Sequence, residues 1–125
     1  MVYLLVYFDM SEIFITFVFL INVLFMAKIK VEESKIFDKV EKIVCRYFGV
    51  GLSKIVSKDK TNKVSMARNY MYYLLHCHFG ISIRKISESY FRTERGVKHQ
   101  ISIMRVCIKS NSAFKEILSK LVEML

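Results

Sequence analysis

From Val31 to Leu125, apolar residues return every three or four positions, no proline interrupts them, and the whole chain holds only four glycines. That spacing lays one apolar stripe along each of several helices. The strict alternation that a half-buried strand needs is found nowhere after Lys28, and a turn-rich β-sandwich is disfavoured. The fold class expected is all-α, a bundle of about five to six helices preceded by an apolar N-terminal helix.

The chain has 125 residues, one domain's worth, and its charge is lopsided. All 20 basic residues lie from Lys28 onward, together with nine of the 11 acidic ones. Like charges repel in a compact state, so such an excess points to a polyanionic partner. Cys45, Cys77 and Cys107 are odd in number and far apart, which fits a reducing cytoplasm better than a disulfide framework.

Residues 1–27 are a different material. Ile13 to Met26 is broken only by Thr16 and Asn22, whereas Asp9, Ser11 and Glu12 interrupt the apolar residues ahead of it. A spanning helix needs about 20 apolar residues, and no basic region of a secretory signal precedes this one. Three readings stay open: a membrane anchor with the basic part in the cytoplasm, an apolar helix packed on the domain or on a partner, or translated upstream sequence ahead of a start at Met26. The division expected is 1–27 as an apolar segment and 28–125 as the functional domain.

Along that domain, Ile36, Val40, Ile43, Val44, Tyr47 and Phe48 form one stripe, which Gly49 and Gly51 end. A short turn of helix at 52–57 leads into the polar loop Lys58 to Lys63. A long helix from about Lys63 to Phe79 carries Val64, Ala67, Tyr70, Met71, Leu74 and His78 on its inward face. Residues 82–91 make a short helix capped by Ser82, with Ile83, Ile86 and Tyr90 inward. Thr93 caps the next, Glu94 to about Ile108, which buries Val97, Ile101, Met104 and Ile108. The last starts at Asn111 or Ser112 and buries Phe114, Ile117, Leu118, Leu121, Val122 and Leu125.

Opposite the apolar stripe of the helix from Glu94 stand Arg95, Lys98, Ser102, Arg105 and Lys109, spaced three and four apart in one row. A short helix, a tight connection and a basic-faced helix make the helix-turn-helix pattern, whose second helix enters the major groove. Arginine and lysine suit that task because they neutralise phosphates, and arginine can read a guanine edge with two hydrogen bonds.

The order of elements carries a resemblance. Ala67-Arg68-Asn69, Tyr73-Leu74, Ser82 to Ser87 and Tyr90 follow the pattern A-R-Q-x-A-M-Y-L … S-L-x-E-I-G-x-x-F-G-G-R-D-H-T-T-V. Upstream, Arg46 to Val50 followed by Ser57-Lys58 resembles an aromatic pair and a basic loop. This resembles the C-terminal DNA-binding domain, Trp-repressor-like, of the bacterial replication initiator family DnaA, over about residues 30–122. The resemblance implies a helical domain that binds double-stranded DNA, with the helix-turn-helix in the major groove and the basic loop on the adjacent minor groove or backbone. It places Lys58, Lys60 and Lys63 as loop cations and Arg68 as a phosphate contact. Thr93, Glu94, Arg95, Gly96 and Val97 take the places of R-D-H-T-T, and Arg84, Arg92, Lys98, His99 and Ser102 join the DNA-facing set. Arg, Gly and Val thus replace a histidine and two threonines that the family uses on bases, and Phe91 and Arg92 replace both turn glycines. The initiator's own sequence box is therefore not the expected target. No G-x-x-x-x-G-K-[ST] loop occurs in these residues, so the reading is a DNA-binding module, a regulator or an accessory protein of replication or a mobile element.

Neither a metal site nor catalysis is expected, nor any cofactor or small-molecule substrate. His76 and His78, two apart on a helix, point about 200° from one another. The acidic residues form no recognisable pair with a histidine or with one another. Tyr70, Tyr72 and Tyr73 fall at core spacing rather than as base-stacking aromatics. The competing class is a membrane-tethered protein-interaction domain with no DNA role, whose basic residues would cluster near Lys28 against anionic lipid.

Overall fold

A computed structural model describes residues 2–125, with side chains from Ile13 onward except that of Ile29. It contains six α-helices and no strand among the described residues: α1 (Val2–Phe48), α2 (Leu52–Val56), α3 (Asn62–Tyr73), α4 (Ile83–Ser89), α5 (Glu94–Ser110) and α6 (Ser112–Met124). The chain divides into two units, one through Ser34 and one of Lys35–Leu125, so the boundary falls later than the compositional break at Lys28.

In the first unit, the large apolar side chains from Ile13 to Met26 are exposed around the helix. From Ile13 the helix is long and apolar enough to cross a membrane. How Asp9, Ser11 and Glu12 are accommodated lies outside the described side chains.

The second unit is built on the stripes expected of it. Val40, Ile43 and Val44 of α1, Val64, Ala67, Tyr70 and Met71 of α3, and Val97, Ile101, Met104 and Ile108 of α5 share one core. Helix α5 packs against α3, α4 and α6, so it is the central element. Two aromatic chains bind the layers. Phe48, Tyr70 and Phe114 link α1, α3 and α6, with ring centroids 5.7 and 6.3 Å apart, and the Tyr70 hydroxyl donates to the Phe114 carbonyl at 3.0 Å. Phe37, Tyr90 and Tyr72 link α1, the end of α4 and α3, and the Tyr90 hydroxyl donates to Glu41 Oε1 at 2.7 Å. Burial first, then this bond to Glu41, pushes the Tyr90 pKa above the usual phenol range. Tyr70 and Tyr72 are core residues, and Tyr73 is half-buried.

The caps follow local chemistry. Ser82, Thr93 and Asn111 side chains accept from the backbone N–H of Lys85, Gly96 and Ala113. Gly49, at φ +63°, closes α1 in the left-handed region that glycine enters without penalty.

Two expectations are corrected. His78 is exposed instead of inward, because Leu74–His78 winds as a π-helix in which the Phe79 N–H reaches the Leu74 carbonyl at 3.1 Å. The wider turn rotates the following residues, so Leu75 is buried beside Leu74 and His76 Nδ1 lies 2.7 Å from the Ile81 carbonyl oxygen. In α6 the apolar face is narrower than expected: Leu121 is fully buried, Phe114, Ile117, Leu118 and Leu125 are half-buried, and Val122 is exposed.

Leu121 is the fully buried residue of α6, so its truncation tests how that helix is held. Leu121→Ala should cost about 2–5 kcal/mol, read as a lowered denaturant midpoint with loss of amide protection concentrated in α6.

Candidate nucleic-acid interface

The helix-turn-helix is α4, the connection Tyr90 to Thr93, and α5. Helix α4 ends in a six-to-one turn in which the Arg92 N–H donates to the Ser87 carbonyl at 2.9 Å. The residue inside that turn, Phe91, adopts φ +55°. Thr93 then opens α5, its Oγ1 accepting from the Gly96 N–H at 3.1 Å. A Cβ on Gly96 would stand 3.0 Å from that same oxygen, so the absence of a side chain there lets the cap sit close over the helix N-terminus.

The loop between α2 and α3 is built by its own short-range bonds. Ser57 Oγ donates to the Lys54 carbonyl and accepts from the Asp59 N–H, and the Asp59 carboxylate accepts from the Thr61 N–H at 2.9 Å. That backbone bond holds the Asp59 carboxyl below its usual pKa, with a smaller contribution from Lys54, 3.6 Å away. These are the Asx and Ser turns favoured where no ladder supplies partners.

Two arginines tie this loop to the rest of the domain. Arg68 of α3 is buried, and it donates from Nε to the Ile55 carbonyl at 2.9 Å and from Nη2 to the carbonyls of Ser57 and Asp59 at 2.9 and 3.0 Å. Arg92 of the turn donates to the same Ser57 carbonyl. Burial, then the charge of Arg92 alongside, lowers the Arg68 pKa from the usual guanidinium value. Beneath them, the buried Tyr72 hydroxyl has no hydrogen-bond partner of ordinary geometry; burial raises its pKa, and the two arginine charges oppose the rise.

Between loop, turn and α5 lies a cleft of about 510 Å³, whose lining includes Lys60, Asn69, Phe91, Arg92, Gly96 and Gln100. The structure thus brings Lys60 of the loop to the same concavity as Arg92, Thr93 and Gly96 of the helix-turn-helix. Lys58, Glu94, Arg95, Lys98, His99 and Ser102 are exposed, and Ser102 Oγ is occupied by the Lys98 carbonyl at 2.9 Å. Arg84 is exposed and paired with Glu88 at 3.2 Å.

Three places differ from expectation. Arg68 is an internal tie of the loop, because its guanidinium is turned onto the backbone carbonyls of Ile55, Ser57 and Asp59. Lys63 belongs to the first turn of α3, and its ammonium lies against Gly49, 3.6 Å from where a Cβ there would stand. Val97, matched to a base-contacting threonine, is fully buried in the core. Sequence reasoning did not single out Asn69, Gln100 or Phe91 as lining residues. Asn69 stands in the quoted triplet and Phe91 in the place of a turn glycine, so both had a signal, whereas Gln100 needed the packing of α5.

If the arginine tie sets the loop, Arg68→Ala should lower stability by about 1.5–3 kcal/mol, measured by thermal melting. Hydrogen exchange at residues 57–61 should rise more than elsewhere in the domain.

The family model described as the bacterial DnaA protein helix-turn-helix matches residues 37–103 of this chain. Among curated proteins, the Chromosomal replication initiator protein DnaA of Pseudothermotoga lettingae is 31% identical over 64 residues, covering 51% of this chain and 14% of that protein. The chain therefore spans about one seventh of the length of the relative it matches.

Proposed function

The chain belongs to the bacterial DnaA helix-turn-helix family, and from that premise we propose that Lys35–Leu125 is a double-stranded DNA-binding domain acting in the cytoplasm, without catalytic function of its own. Helix α5 enters the major groove with Arg95, Gly96, Lys98, His99 and Ser102 toward it. Lys58 and Lys60 on the loop follow the neighbouring backbone or minor groove. The observation that carries the reading is the shared cleft, where Lys60 of the loop and Arg92, Thr93 and Gly96 of the helix-turn-helix face one concavity. Lys60 of the loop and Arg92 of the turn, separated in sequence, are thereby available to one duplex.

The burial of Val97 supports a register in which it takes the apolar place at the end of the family pattern. Thr93 then stands for the aspartate, Glu94 for the histidine, and Arg95 and Gly96 for the two threonines. The turn is one residue shorter and keeps neither glycine. A glutamate and an arginine among the base-facing positions would read a sequence other than the initiator's box. The role is that of a regulator or an accessory protein of replication or a mobile element.

The alternative, a membrane-tethered interaction domain, has the exposed apolar side chains of Ile13 to Met26 in its favour. Its charge pattern is less favourable, since Lys28, Lys30 and Lys35 are offset by Glu32, Glu33 and Asp38. An N-terminal tether and a DNA-binding domain are compatible, and a tether alone does not account for the cations of the loop and α5.

The full chain, kept soluble in non-ionic detergent, should bind random-sequence duplex DNA, with affinity falling as salt rises. Neutralising about five phosphates gives a slope of log K against log salt near −4.5, and a flat response would overturn the reading. On a duplex selected from a random pool, Arg95→Ala should cost about 1–3 kcal/mol and relax the preference at one position. An equal loss on every sequence would make Arg95 a phosphate contact instead.

A further inference from the structure

Phe91 is the non-glycine residue with positive φ among the described residues, at +55°, and it is also the most exposed large hydrophobic side chain of the second unit, at 88%. The two facts together need a cause. A Cβ in the left-handed region is disfavoured, and the position, C′ of a helix-ending turn, is one where glycine is preferred. A bulky residue held there is usually compensated by burial, yet this ring has no place in the core. It lies at the edge of the cleft among Lys60, Arg92 and Gly96, two residues before the cap of α5. An apolar ring in a cationic surround, next to the end of a helix that reads base edges, is matched by a surface anionic in its backbone and apolar at one base substituent.

We infer that Phe91 is a specificity-determining contact that packs on the 5-methyl group of a thymine at the edge of the major groove. This rests on the duplex-binding reading above. Among the base edges of the major groove the thymine methyl is the apolar one, and side chains without hydrogen-bonding groups read it by contact alone. Lys60 and Arg92 hold the flanking phosphates, which positions the ring while carrying no sequence information themselves. The left-handed backbone at Phe91 directs the side chain out of the turn, where a glycine would leave the same turn without a reading group.

Sequences are selected from a random 20-base-pair pool by the full chain and by its Phe91→Ala and Phe91→Gly variants. The parent's best duplex is then remade with deoxyuridine at its enriched thymine. The parent should show a thymine preference that both variants lack, and removing the methyl should weaken the parent roughly fourfold, as expected for one buried methyl, and the variants hardly at all. Phe91→Gly, freed of backbone strain, should melt no lower than the parent, so lost discrimination there cannot be ascribed to misfolding. Identical selected sequences and affinities for parent and variants would overturn the inference. So would a loss in the variants that is equal on thymine and deoxyuridine duplexes. Absence of salt-dependent binding by the parent itself would instead remove the duplex-binding reading, and this contact with it.

Discussion

The carbonyl of Ser57 accepts from both Arg68 and Arg92, and the geometry of the cationic surface depends on that shared acceptor. Arg68 comes from the long helix α3 and Arg92 from the turn before α5. One oxygen therefore joins three parts of the chain that sequence distance separates. Two guanidinium groups side by side repel, and each is partly desolvated, so the arrangement stands only because carbonyl oxygens face them. Those oxygens belong to the end of α2 and to a loop that has no ladder partners to satisfy it. The cations need acceptors and the loop needs donors, and each supplies the other.

A division of labour among the basic residues follows from this. Arg68 is spent on the interior, while Lys60, Lys58, Arg95 and Lys98 remain in solvent. A buried, multiply bonded guanidinium contributes position, and exposed cationic groups contribute long-range attraction to phosphate. The same distinction holds along α5. Its inward stripe, Val97 to Ile108, makes it the central helix of the core, and the opposite row of cations is exposed. A helix held on three sides presents its remaining face as a rigid surface, which suits a role in which side chains must meet base edges within a few tenths of an ångström.

The turn between α4 and α5 is where this chain departs from its family's pattern. Glycine there gives backbone freedom and no side chain; Phe91 reverses both properties while the backbone keeps the left-handed conformation. That the turn survives the change reflects the bonds around it, the Arg92 N–H to the Ser87 carbonyl and the Thr93 cap on Gly96, which over-determine the path of the chain.

The sequence by itself determined the helices. Apolar spacing, absence of proline and the capping residues Ser82, Thr93 and Asn111 are local signals, and a helix forms on local hydrogen bonds that such signals govern. The resemblance over residues 30–122 likewise rests on residues in order along the chain, and it locates the helix-turn-helix without reference to packing. Only the tertiary structure decided which cations face a partner. Whether an arginine such as Arg68 points into solvent or onto the carbonyls of a loop nine to eleven residues upstream depends on what lies across from it, and periodicity carries no record of that. The π-turn at Leu74–His78 was hidden for the same reason. The π-turn trades a locally favoured conformation for the burial of Leu75 in the core, and that exchange is settled only when the core is assembled.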